Sequence, residues 1–304
     1  MPKNHIGETI KKLREQRGMT QEKLAGPHMC RTHIYKIEKG KVKPTKETLT
    51  TLVNRFGYSL EQFFELFFDE KEAKFQATLE TIESHLKQKN LEEADTLLSQ
   101  LEEDEDFMGK ITYRQRTMSY KASLVIYKGG EASKARKILM EAIKIHIPKF
   151  NEKDISEYWL TKDDVGIIVK LAASYGEEGQ LDEAANLLYN LKSNFDNQYR
   201  DSNLKGREYP SIIFNLTRYL TAAKRYEEVI ELCDIGIKFC KNNSHMRLLP
   251  LIVLNKARSL YEIGDKETCK KLLRQAYYTL EMHERFEYVE YIKSYVRERP
   301  DIAF

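Results

Sequence analysis

Five segments of the chain repeat one pattern, in which a turn residue is followed five positions later by a small or compact side chain near the start of a helix-forming run. They are Lys89 to Ala94, Gly130 to Ala135, Gly179 to Ala184, Lys224 to Val229 and Gly264 to Cys269. Their last residues lie 41, 49, 45 and 40 positions apart. A period of this size is that of a helix pair joined by a tight turn. The turn residue reverses the chain, and the small residue lets the second helix lie close against the first. One such pair cannot bury its apolar face alone, whereas stacked pairs can, so the repeat predicts an all-α array that curves and has a concave face.

The internal pattern of each unit resembles the tetratricopeptide family, although that family's period is roughly 34 residues and longer helices and loops must supply the excess. The match is clearest in the fourth unit, at Asn215, Leu216, Leu220, Tyr226 and Val229, and in the fifth, at Asn255, Ala257, Leu260, Gly264 and Cys269. The first unit is poorer, with Glu80, Thr81 and His85 at the matching offsets, and reads as a connecting helix. The stretch Glu284 to Arg297 reads as a capping helix. The resemblance implies a right-handed superhelix of TPR-like helix pairs over residues 77–304.

Ahead of the array stands a different pattern. Thr20 can cap a short helix, Gln21 to Ala25, which Gly26-Pro27 stops. A second short helix, Cys30 to Lys39, turns Ile34 and Ile37 inward and ends at Gly40. Flanking helices, Ile6 to Arg17 and Lys46 to Phe56, carry apolar faces of Ile6, Ile10 and Leu13, and of Leu49, Leu52, Val53 and Phe56. Four or five short helices around one small core follow. This block resembles the Cro/C1-type helix-turn-helix family, with one residue fewer than usual between Ala25 and Ile34. The organisation expected is a helix-turn-helix domain over residues 1–66, a linker over 67–76 that begins in the Phe-rich run through Phe67 and Phe68, and the array after it.

Charge supports the division. Residues 1–66 hold 13 Lys and Arg against 7 Asp and Glu, while the remaining 238 hold 37 against 40. A basic module on a mildly acidic body suits phosphate binding with counterion release. No run of 18 apolar residues crosses a membrane, and the N-terminus lacks a signal peptide's apolar stretch, so a cytoplasmic protein is expected. Cys30, Cys233, Cys240 and Cys269 form no CxxC pair and the histidines are scattered, which points to free thiols and to no metal or cofactor. Phosphate-loop, dinucleotide, zincin and nucleophile-elbow motifs are all missing, so no enzyme is expected.

A Cro/C1-type N-terminus joined to a degenerate tetratricopeptide array resembles the peptide-pheromone-responsive regulators of Gram-positive bacteria, the group of PlcR, PrgX and Rgg. The resemblance implies a homodimeric transcription factor that reads two half-sites of double-stranded DNA and binds a short linear peptide in its array. Cys30 to Lys39 is then the recognition helix. Arg31, Thr32, His33 and Lys36 are the candidates for base edges, and Gln21, Lys39, Lys41 and Lys43 those for phosphates. At one equivalent inner-helix offset stand Lys121, Lys170, Asn215 and Asn255, candidates for an extended peptide's backbone. Arg218 and Arg258, one turn on, are candidates for its carboxylates. The rival reading keeps the DNA-binding regulator and gives the array a protein partner, such as an antirepressor, in place of a peptide.

Overall fold

The computed structural model describes residues 5–66, 70–197 and 202–304, and Phe67 and Phe68 lie outside them. Every regular element among the described residues is helical. Two compact units divide at Met1–Thr81 and Ile82–Phe304. The division falls within a helix that starts at Glu70, so residues 70–76 of the expected linker are helical.

The first unit contains α1 (His5–Gln16), α2 (Gln21–Ala25), α3 (Arg31–Glu38), α4 (Lys46–Arg55) and α5 (Leu60–Leu66). Thr20 caps α2 as expected, its hydroxyl accepting from the Lys23 amide at 3.1 Å. Gly26 ends α2 at φ 56°. A side chain there would collide with the Arg55 guanidinium, which donates to the Leu24 carbonyl. Ile10, Leu13, Leu24, Ile34, Ile37, Leu49, Leu52, Val53, Phe56 and Phe63 form one core, with Ile6 half-buried at its edge. Helix bounds differ from the expected ones by one residue at an end: α1 starts at His5 and stops at Gln16, α4 stops at Arg55, and Cys30 and Lys39 flank α3 rather than belonging to it.

A polar cluster sits beside this core. The buried Glu38 carboxylate accepts from Arg14 Nε at 2.6 Å and Nη2 at 3.1 Å, and from Gln21 Nε2 at 2.8 Å. Arg14 also donates to the Met19 carbonyl at 3.0 Å. One residue of α3 thereby fixes α1, α2 and the turn between them, and the hydrogen bonds to Glu38 hold the Arg14 pKa above its ordinary value.

The second unit begins in α6 (Glu70–Gln88) and continues through α7 (Leu91–Glu102), the short α8 (Glu105–Met108), α9 (Ile111–Tyr127), α10 (Ala132–His146), α11 (Lys162–Glu177), α12 (Leu181–Asn197), α13 (Ser202–Ala222), α14 (Tyr226–Asn242), α15 (Leu249–Glu262), α16 (Lys266–Met282) and α17 (Phe286–Arg297). From α7 onward consecutive helices pack pairwise, and α9, α11, α13 and α15 also touch one another in turn, so they form the inner layer. The five marker residues, Ala94, Ala135, Ala184, Val229 and Cys269, are all fully buried.

The turns share one mechanism. Lys89, Gly129, Gly179, Lys224 and Gly264 adopt positive φ, and so does Glu284 between α16 and α17. After each, the next amide reaches back five residues to a carbonyl: Asn90 to His85, Gly130 to Val125, Gln180 to Tyr175, Arg225 to Leu220, Asp265 to Leu260 and Arg285 to Leu280, at 2.8 to 3.0 Å. This 6→1 bond is that of a Schellman helix end. Glu284 and the buried Val289 form a sixth instance that the sequence pattern did not single out. The 49-residue interval is longer because residues 147–161 make a loop, whose carbonyls at Ile155, Ser156 and Tyr158 accept from the buried Asn194 amide of α12 at 2.7 to 3.0 Å.

Three outcomes follow. Lys224→Gly removes a left-handed strain and raises stability by about 1 kcal/mol, read as a higher urea midpoint; an unchanged or lower midpoint contradicts the turn assignment. Glu38→Ala strands the Arg14 guanidinium and costs the first unit about 3 kcal/mol, which accelerates hydrogen exchange of the α3 amides; unaltered exchange there refutes the clamp. Burial pushes the Cys233 thiol up to about 12 and those of Cys240 and Cys269 up to about 11, while Cys30 is exposed. Only Cys30 therefore reacts with a thiol reagent in the folded chain near pH 8, and a second fast-reacting thiol would be inconsistent with this core.

Candidate functional site

Two regions gather side chains that no packing requirement explains, one in each unit. In the first, α3 divides cleanly: Ile34, Ile37 and Glu38 are buried, while Arg31, Thr32, Tyr35, Lys36 and Lys39 are exposed along the opposite side. His33 is half-buried between the two faces. Lys41 and Lys43 are exposed just beyond the helix, with the Lys41 ammonium 5.8 Å from the centre of the Tyr35 ring. Cys30 offers α3 no side-chain cap, and only its carbonyl meets the first turn, accepting from the His33 amide at 2.9 Å. Arg31 faces Glu22 at 3.8 Å, but both side chains are solvated and the pair is weak.

Gln21 departs from its expected role. It is half-buried and its amide belongs to Glu38, so it positions α3 instead of standing free for phosphate. Tyr35 is the residue that the sequence reading missed. It is 42% exposed in the middle of the basic face, and an aromatic flanked by Arg31, Thr32, Lys36 and Lys39 carried the signal.

In the second unit, the inner helices enclose a groove. One cavity of about 260 Å³ lies among α6, α9, α11 and the start of α13, lined by Glu83, Arg116, Ser119, Tyr120, Lys162, Asp163, Lys170 and Glu208 among others. A second, of about 580 Å³, shares Glu83, Lys162 and Glu208 and extends along α13 to the loop before α15, past Arg207, Pro210, Asn215, His245 and Arg247. The two adjoin at these three residues and together form a channel-like groove. Pro210 lies inside α13 and has no N–H to give the carbonyl of Gly206, another lining residue.

Lys170 stands on the channel wall. Its ammonium donates to the hydroxyl of Ser119 at 2.7 Å and to its carbonyl at 3.2 Å, 5.1 Å from the Tyr120 ring centre. Burial lowers its pKa to about 8. Burial also raises Asp163 and Glu208 above the usual carboxylate range. Asn215 lines the channel as well, donating to the Ser211 carbonyl of its own helix at 2.9 Å and keeping its oxygen.

The other four array candidates do not join them. Lys121 is exposed and ion-paired with Glu102 at 2.6 Å, away from the channel. The reason is one residue: the left-handed Gly129 stands six positions before Ala135, where the equivalent spacing elsewhere is five, so the matching position on α9 is Tyr120. Asn255 is 4% exposed and donates to Thr217 Oγ1 at 2.9 Å, an interior bond between α15 and α13. Arg218 donates to the Tyr219 hydroxyl and stacks over its ring, and Arg258 lies over Tyr291 at 5.6 Å. Neither lines the channel. Arg116, Lys162, Glu208 and Arg247 were missed because no offset within a repeat marks them.

Among the described residues no group of three or more His, Cys, Asp or Glu is arranged to hold a metal, and no helix is long and apolar enough to cross a membrane. Residues 7–66 match the family model of a helix-turn-helix domain. No curated protein matches the chain in sequence. Solved structures do match it in fold. PlcR of Bacillus thuringiensis, in complex with the peptide PapR7 and DNA, superposes with a TM-score of 0.77 at 16% identity, over 95% of this chain and 99% of that one. The SHP pheromone receptor Rgg2 of Streptococcus dysgalactiae gives 0.67 at 13% identity over 96% and 99%. ComR of S. thermophilus, in complex with DNA and its signalling peptide ComS, gives 0.56 at 14% identity over 95% and 97%. The N-terminal unit is thus a helix-turn-helix domain, and the chain as a whole has the fold of PlcR, Rgg2 and ComR, a helix-turn-helix followed by TPR-like helix pairs.

Proposed function

We propose that this chain is a sequence-specific DNA-binding transcriptional regulator whose repeat unit binds a short signalling peptide that alters its action on DNA. The observation that carries the reading is the solvent face of α3, where Arg31, Thr32, Tyr35 and Lys36 project from a helix clamped by Glu38. A helix held this rigidly keeps its base-reading side chains in register without losing further order on binding. Arg31 takes guanine O6 and N7, Thr32, His33, Tyr35 and Lys36 contact neighbouring bases, and Lys39, Lys41 and Lys43 hold phosphates.

The channel supports the peptide half. An extended peptide has unpaired amides and carbonyls along its length, and the Asn215 oxygen and the carbonyl at Gly206 accept from the former while Lys170 donates to the latter. PlcR and ComR were each solved with DNA and a peptide, which agrees with this division of labour. The regulator acts as a cytoplasmic homodimer, because one eight-residue recognition helix contacts few bases and a second half-site supplies the missing affinity. Peptide shifts the protein between two arrangements only through a difference in its affinity for them.

The operator is first selected from random duplexes on the full-length protein. Arg31→Ala then relaxes preference at one base pair and costs specific binding about tenfold, whereas Lys43→Ala weakens all duplexes alike and lowers the salt slope by about 1. Equal losses on operator and random duplex for Arg31→Ala would remove it from base reading, and failure to select any duplex would defeat the DNA half.

A further inference from the structure

The channel's charges do not balance. Its three carboxylates each already face a cation: Glu83 meets Lys87 at 2.7 Å, Asp163 meets Arg116 at 3.7 Å, and Glu208 meets Arg207 at 3.8 Å. Three further cations line the same walls, Lys162, Lys170 and Arg247, and none of them has a carboxylate within ion-pair distance among the described residues. Lys170 is the most constrained. Its partners are two neutral oxygens of Ser119 and the Tyr120 ring, and its charge is partly withdrawn from water. The imbalance is local, since residues 67–304 carry more acidic than basic side chains. Glu83 and Asp163 act on Lys170 only from beyond ion-pair distance, so its half-buried charge is partly compensated, and a ligand that brings an anion into contact completes the pairing.

We propose that the channel selects an anionic peptide, with one carboxylate seated against Lys170 and a second, side-chain or C-terminal, between Lys162 and Arg247. This rests on the peptide-binding reading above and adds the chemistry of the peptide. The two cavities that these cations line share Glu83, Lys162 and Glu208 on their walls, so carboxylates several residues apart on one extended strand reach both. Phe214, Met246 and Leu248 line the second cavity and give the same ligand an apolar contact. Lys170 is faced by Glu83 and Lys87 from α6, Arg116 and Tyr120 from α9, and Asp163 on its own helix, with Glu208 of α13 on the same cavity wall. With its pKa near 8, it is cationic at neutral pH and becomes neutral above that value. Affinity for an anion is therefore full below about pH 8 and falls as pH rises through it.

The test is a synthetic heptapeptide library passed over the full-length protein, each position fixed in turn as Asp, Asn or Lys, with free-acid and amidated C-termini. Retained peptides are identified by mass spectrometry and their affinities measured by fluorescence polarisation. Enrichment of Asp and of the free acid is expected. Lys170→Met and Arg247→Gln are each expected to weaken the best binder about tenfold, and the wild-type affinity is expected to decline above about pH 8. Arg247 is exposed, so its variant keeps the fold and reports on binding even if Lys170→Met destabilises the array. Retention of neutral or basic peptides, unaffected by both substitutions, overturns the charge selection and leaves the peptide reading standing. Retention of no peptide overturns both.

Discussion

Close approach at the helix hairpins is the constraint on which the rest of this molecule depends. In each pair the first helix ends on a left-handed residue whose successor bonds back across six residues, and a small buried side chain follows within the next turn and a half. The bond satisfies a carbonyl that the helix end would leave unpaired, and the small residue brings the two axes close enough to exclude water. Only then do the inner helices α9, α11, α13 and α15 touch one another and form a continuous wall. The channel is a consequence of that wall. Its residues come from four helices distant in sequence, and none is placed there by its own repeat alone.

The N-terminal unit solves a different problem, since α3 has only eight residues and too few apolar contacts to hold its orientation by packing alone. The Arg14, Glu38 and Gln21 cluster supplies the direction that Ile34 and Ile37 cannot. Burying Glu38 is tolerable because three donor groups meet it, two of them from one guanidinium. The exposed face of α3 is then set by elimination: everything the core and the clamp do not use projects outward.

Much of this was legible in the residues. Helix starts at Thr20 and stops at Gly26 and Gly40 follow from local backbone chemistry, which operates over four or five residues and survives any tertiary context. The burial of Ala94, Ala135, Ala184, Val229 and Cys269 was legible for the same reason, since each stands at a fixed distance from a turn. The site residues were harder. Lys121 missed the channel because one extra residue in the Gly129-Gly130 turn shifts a helix face by a full position, which no offset counted from Ala135 reveals. Asn255 fell to the interior because α13 and α15 meet there, and Gln21 was claimed by a carboxylate seventeen residues away.

Taken alone, the sequence determined where most of the helix pairs turn, that the chain has a basic helix-turn-helix ahead of a helix-pair array, and which side of α3 is apolar. These are short-range matters of backbone conformation and periodicity, and each residue carries its own share of the answer. The tertiary structure decided which polar side chains remain available. Whether Glu38 meets Arg14, whether Asp163 and Glu83 already have ion-pair partners, and whether Lys170 meets neutral oxygens in place of a carboxylate depend on where separate helices come to rest. Charge pairing is settled over a few ångströms in space, and distance along the chain carries no information about it.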